Sequence, residues 1–163
     1  MALNRRFVLF GIAGIACLSP IASSAEGDTV THVIIMKKRR RLYLMHDEKV
    51  LRKYRIGLGF APYGHKQFRG DGKTPEGRYF IDFKNPNSGF HLSLKISYPN
   101  AKDVSYARSH GKEPGGDIFI HGQENGKFRQ RGDWTAGCIS VSNAQIREIY
   151  KYVPVGTPIH ISP

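Results

Sequence analysis

The chain has 163 residues, a formal net charge of +12 and only two cysteines. That length supports one domain with a real core, and two thiols exclude a disulfide-built scaffold or a four-thiolate zinc site. The surplus of Lys and Arg points to an anionic partner such as wall polymer, lipid headgroup or nucleic acid, without choosing among them.

Residues 1–25 read as a secretory signal. Arg5 and Arg6 open it, Phe7 to Leu18 carries no charge, and Ser23-Ser24-Ala25 offers small residues for cleavage. The apolar run is shorter than the roughly 20 residues of a comfortable span, so a retained membrane anchor is the weaker alternative. The pattern leaves Sec and twin-arginine export both open. Cleavage would leave residues 26–163 as one domain of charge +10, with no stable membrane span, in the periplasm or cell envelope. It would also remove Cys17 and leave Cys138 as the only thiol.

Short β-branched and aromatic runs follow in order: Val33–Met36, Leu42–Met45, Tyr54–Ile56, Arg78–Ile81 and Ile118–His121, with turn formers between them. Lys37-Lys38-Arg39-Arg40-Arg41 lies between the first two runs and reads as a solvated hairpin turn. It lacks the interleaved aromatics of a nucleic-acid surface, so no nucleic-acid partner is expected. One helix is clear: Ile146, Ile149, Tyr150 and Val153 recur at helical spacing, and Ser142 with Gln145 forms a capping box. Pro154 and Gly156 end it, and Pro158–Ile161 returns as a strand. The fold class expected is mainly β, with that helix after Cys138.

An unpaired thiol in an exported chain invites a nucleophile, although a lone cysteine in a β protein is more often a small buried hydrophobe. His121 ends a strand and lies 17 residues before Cys138, which lets the chain loop out and return on a neighbouring strand. An imidazole there would serve as base, with the Gly122 carbonyl holding its second nitrogen. Ala136 and Gly137 are small, so backbone N–H groups around Cys138 could approach a substrate carbonyl. Seven histidines include no His-x-x-x-His pair, so neither metal nor cofactor is expected.

The stretch Ile120-His121-Gly122, followed by Asp133-Trp134-Thr135-Ala136-Gly137-Cys138-Ile139-Ser140-Val141-Ser142-Asn143, resembles the active-site signature of the YkuD-type L,D-transpeptidases. Gly70–Tyr79 is similar to the family's glycine-rich turn, and Phe90–Asn100 to a stretch of its ErfK/YbiS-like members. The resemblance runs from about Val30 to Ile161. It implies a β-sandwich-like catalytic domain that acts on peptidoglycan stem peptides and is sensitive to carbapenems. Cys138 would attack the third stem residue and release the terminal D-alanine, with His121 as base and then acid. Gly137 and Cys138 would offer oxyanion N–H groups, and Gly122 would orient His121. Tyr98 and His91 would line the donor pocket or else sit in the core; Trp134 would pack under the site or contact substrate, Thr135 would flank it, and Asn143 would tie the turn after Cys138 or simply open the helix. The thioester would pass to an amine on another stem or on a wall-attached protein.

Two positions depart from the pattern: Ala136 replaces a second histidine, and Ser140 replaces an arginine common after the cysteine. Both changes bear on substrate binding and on the acceptor. A hydrolase on the same scaffold (an L,D-carboxypeptidase or an amidase) and a non-catalytic wall-binding domain are the rival readings. Ser109-His110-Gly111-Lys112 matches the Ser-x-x-Lys spacing of a serine acyltransferase, but no Lys-Thr-Gly element accompanies it.

Overall fold

The structure is a computed structural model that describes residues 29–127 and 129–163. Residues 1–25, read above as a secretory signal, and with them Cys17, lie outside the described residues. Eight strands and two helices follow in order: β1 (His32–Met36), β2 (Arg41–His46), β3 (Lys49–Arg55), β4 (Gly77–Asn85), β5 (Ser93–Ile96), α1 (Ala101–Ser109), β6 (Phe119–His121), β7 (Ile139–Ser140), α2 (Asn143–Tyr152) and β8 (Pro158–Ser162). The fold is mainly β, as expected.

Alternation places Val33 and Ile35 of β1, Leu42 and Leu44 of β2, and Ile159 and Ile161 of β8 on one buried face. β1 pairs antiparallel with β2 and parallel with β8, with Val33 opposite Ile159. β4 then changes partner along its length. Gly77–Phe80 pairs with β8, whereas Ile81–Asn85 pairs with β5 through an irregular register between Ile81 and Phe83. The resulting strand order, β3-β2-β1-β8-β4-β5-β6-β7, is a single sheet that curls. Its ends meet, because Gly57, just beyond β3, bridges antiparallel to Ser140 in β7.

α2 follows the sequence reading. Ser142 caps it, accepting the Gln145 N–H while Gln145 answers to the Ser142 N–H. Ile146 and Ile149 are fully buried, each worth about 1.5–3 kcal/mol on transfer from water. α1 is an addition. Its sequence buries only Asp103 and Ala107, so it offers no apolar period; the Asn100–Asp103 capping box and Asp103's bonds to Tyr79 and His65 hold it instead. Ser109 ends α1 and donates to the Tyr106 carbonyl while Lys112 lies beyond the helix, so one helical turn does not present the Ser-x-x-Lys pair.

The β1–β2 connection is a turn, but it is not uniformly solvated. Lys37 is 2% exposed, and its ammonium donates to Gly64 O, Thr74 O and Glu76 Oε1 at 2.6, 2.9 and 2.8 Å. Arg40 pairs with Asp133, in the loop that leads to Cys138. Two of the five basic residues thus tie distant loops together, while Lys38 and Arg39 are solvated as expected.

Candidate active site

β6 and β7 run parallel, with Ile120 opposite Ile139 and His121 opposite Ser140. One step back in that register, Cys138 stands beside Phe119, so Cys138 and His121 share a face of the sheet. Both open into one cavity of about 430 Å³, together with Phe90, Trp134, Thr135 and Ala136. The Cys138 sulfur accepts the Phe119 N–H at 3.4 Å and donates to the Asp117 carbonyl at 3.5 Å. Burial raises the thiol's pKa; the Phe119 N–H pulls the other way and loses.

His121 is 3% exposed, and its Nδ1 lies 2.7 Å from the Gly122 carbonyl. A carbonyl only accepts, so Nδ1 carries the proton and Nε2 keeps its lone pair. Burial lowers the imidazole's pKa, and the Gly122 bond offsets only part of that. The imidazole is therefore neutral at neutral pH. Phe90 lies against its ring with centroids 4.6 Å apart, and Trp134 meets it edge-on at 5.6 Å.

The loop that carries Cys138 is braced from within and from outside. The Thr135 hydroxyl donates to the Cys138 carbonyl at 2.7 Å and accepts the Gly137 N–H at 3.2 Å. That engagement turns the Gly137 N–H inward, away from the oxyanion role expected of it. Glycine is nonetheless required there: φ is +132°, and an added Cβ would lie 2.7 Å from Lys73 O. Outside, residues 57–60 are stapled to both ends of the loop. Gly57 exchanges backbone bonds with Ser140, while Leu58 O and the Phe60 N–H bind Thr135. Asp133 accepts the Leu58 N–H at 3.0 Å and holds Arg40.

Trp134 and Thr135 are thus gathered with Cys138 and His121, and the other expected contacts are not. Tyr98 is 2% exposed in the core, where its hydroxyl donates to Pro114 O at 3.1 Å. His91 bonds to Arg147 outside the cavity. Asn143 opens α2, and its Oδ1 accepts the Gln123 N–H, tying the chain after His121 to the helix. Sequence reasoning missed the 57–60 staple and the Arg40–Asp133 pair; Gly57-Leu58-Gly59 directly after a strand was the available signal. No metal-ligating group of three or more His, Cys, Asp or Glu occurs among the described residues.

The chain is similar to known proteins over most of its length. The YkuD family, described as an L,D-transpeptidase catalytic domain, matches residues 30–161. YafK of Escherichia coli K12, which carries an L,D-transpeptidase name, is 32% identical over 128 residues, spanning 75% of this chain and 46% of its own length. The chain therefore spans about half the length of the curated relatives it matches. Among solved structures, the helical cell shape determining protein Pgp2 of Campylobacter jejuni is 28% identical, with a TM-score of 0.65 over 83% of this chain and 48% of its own. An L,D-transpeptidase of Xylanimonas cellulosilytica shares the fold at 18% identity, with a TM-score of 0.56 over 83% of this chain and 61% of its own. On the family match and the YafK relationship, the chain belongs to the YkuD family of L,D-transpeptidase catalytic domains.

Proposed function

We propose that this chain is a cysteine transpeptidase acting on peptidoglycan stem peptides in the cell envelope, after export and loss of residues 1–25. One observation carries the reading: among the described residues a single thiol and a neutral imidazole whose Nε2 has no hydrogen-bond partner open into the same cavity. As the stem carbonyl arrives, Nε2 takes the thiol proton and sulfur attacks the carbonyl carbon. The Cys138 N–H is the loop donor assigned to the oxyanion, since Gly137's is engaged. Collapse of the tetrahedral intermediate breaks the C–N bond, and His121 returns the proton to the departing amine of D-alanine. An acceptor amine on another stem or a wall-attached protein then attacks the thioester. It loses a proton to His121, which restores the thiol.

Incubation with disaccharide-tetrapeptide muropeptide, read by mass spectrometry beside Cys138→Ala, tests this. The expected product is a cross-linked dimer lacking one D-alanine, absent from the variant. Tripeptide without dimer would identify a hydrolase instead, and no turnover by either protein would sink the catalytic reading.

A further inference from the structure

The far side of Trp134 holds a second cavity of about 390 Å³, which the steps above do not use. Arg55 enters it from the end of β3, and Arg129 and Arg131 from the loop between β6 and β7. No Asp or Glu lines it. Among the described residues none of these three guanidiniums meets a carboxylate, whereas Arg40 and Arg69 do. Ser140 also lines the cavity; it is 3% exposed, and its hydroxyl finds no partner among the described residues. The first turn of α2 adds Ser142 and Gln145, and Gln145 spends its carbonyl oxygen on the cap, which leaves its amide donor free. Gln123 is fixed beneath by bonds to Val141 O and the Gln130 N–H. The unspent groups here are donors or cations apart from one buried acceptor, Gln130 Oε1, and that balance suits an anionic ligand. Guanidinium forks match a carboxylate in two parallel hydrogen bonds, and a helix N-terminus favours negative charge.

We propose that this cavity is a carboxylate site. It holds an acidic group of a peptide that reacts over Cys138, with Trp134 as the wall between the two cavities. This rests on the proposed function, and the carboxylate has two possible sources: the C-terminus of the donor stem, or the side-chain carboxylate of the acceptor's diamino acid.

The test is binding, measured calorimetrically with Cys138→Ala so that no turnover intervenes. Donor tetrapeptide is compared with its C-terminal amide, and acceptor stem with its side-chain amide, on the parent and on Arg55→Gln/Arg129→Gln/Arg131→Gln. The triple variant is expected to bind the acid form about tenfold or more weakly, the size of one lost charge-assisted hydrogen bond, with the amide form unchanged as the control for folding. Whichever peptide shows the loss identifies the source. Equal affinity for acid and amide, an undiminished triple variant, or no binding of either peptide would overturn the proposal. Product analysis of the unaltered protein reports separately on the catalytic reading, so the two failures are distinguishable.

Discussion

Burial acts on Cys138 and His121 in opposite directions on the pKa scale, and both shifts favour the neutral pair. Free protein should therefore hold a thiol rather than a thiolate–imidazolium pair. Alkylation of Cys138 with iodoacetamide is expected to rise with pH and to have its midpoint above the ordinary thiol value of 9.0; a midpoint below that would contradict the burial argument. The same physics touches stability. His121 resists protonation in the folded state, so as pH falls below the ordinary value of 6.5 the unfolded chain binds protons first. Stability should decline from there down to the lowered folded value, and less steeply in His121→Gln, by urea midpoints. Thr135 is the next residue out. Thr135→Val removes the bond to the Cys138 carbonyl and should cost about 1 kcal/mol together with turnover, while Thr135→Ser restores both. At this scale the sequence was most legible where partners are neighbours: His121 and Gly122 are adjacent, and Thr135 lies three residues from Cys138. Tyr98 stayed open between pocket and core because an aromatic near a motif carries no sign of which side of the sheet it faces.

Elements were legible in proportion to their apolar periodicity. β1, β2, β8 and α2 alternate or repeat cleanly, whereas α1 buries a carboxylate and an alanine and is written in its cap alone. Asn100→Ala should therefore cost about 1 kcal/mol in thermal or chemical unfolding, and an unchanged midpoint would refute the capping account. β3 was half seen, from Tyr54, because Lys49, Arg52, Lys53 and Arg55 make it polar at one end of the strand order. The segment after it is the more consequential. A Cβ at Gly59 would sit 2.0 Å from Gly72 O and 2.9 Å from Gly137 Cα. Gly59→Ala must displace the staple beside the nucleophile loop; a loss of about 1–3 kcal/mol and of most turnover is expected.

On the scale of the whole molecule, the curled sheet brings chain positions 93 residues apart into one ion pair, Arg40 with Asp133. Such a pair cannot be read from local pattern, which is why Lys37–Arg41 resembled an ordinary solvated turn. Asp133→Ala leaves a partly buried guanidinium and the Leu58 N–H without their acceptor, and should cost about 1–3 kcal/mol by urea unfolding. The double change with Arg40→Met should recover part of that loss, and strict additivity would show that the pair does not couple the turn to the loop. These long-range ties converge on one consequence: the Cys138 thiol and the His121 imidazole are held over one cavity, and the chemistry proposed for them is covalent. Rapid-quench intact mass of the protein during turnover of a tetrapeptide muropeptide tests that directly. The account predicts a transient adduct of substrate mass less D-alanine, mapped to Cys138 and missing from Cys138→Ala. Turnover with no adduct there, or with an adduct on another residue, would contradict it.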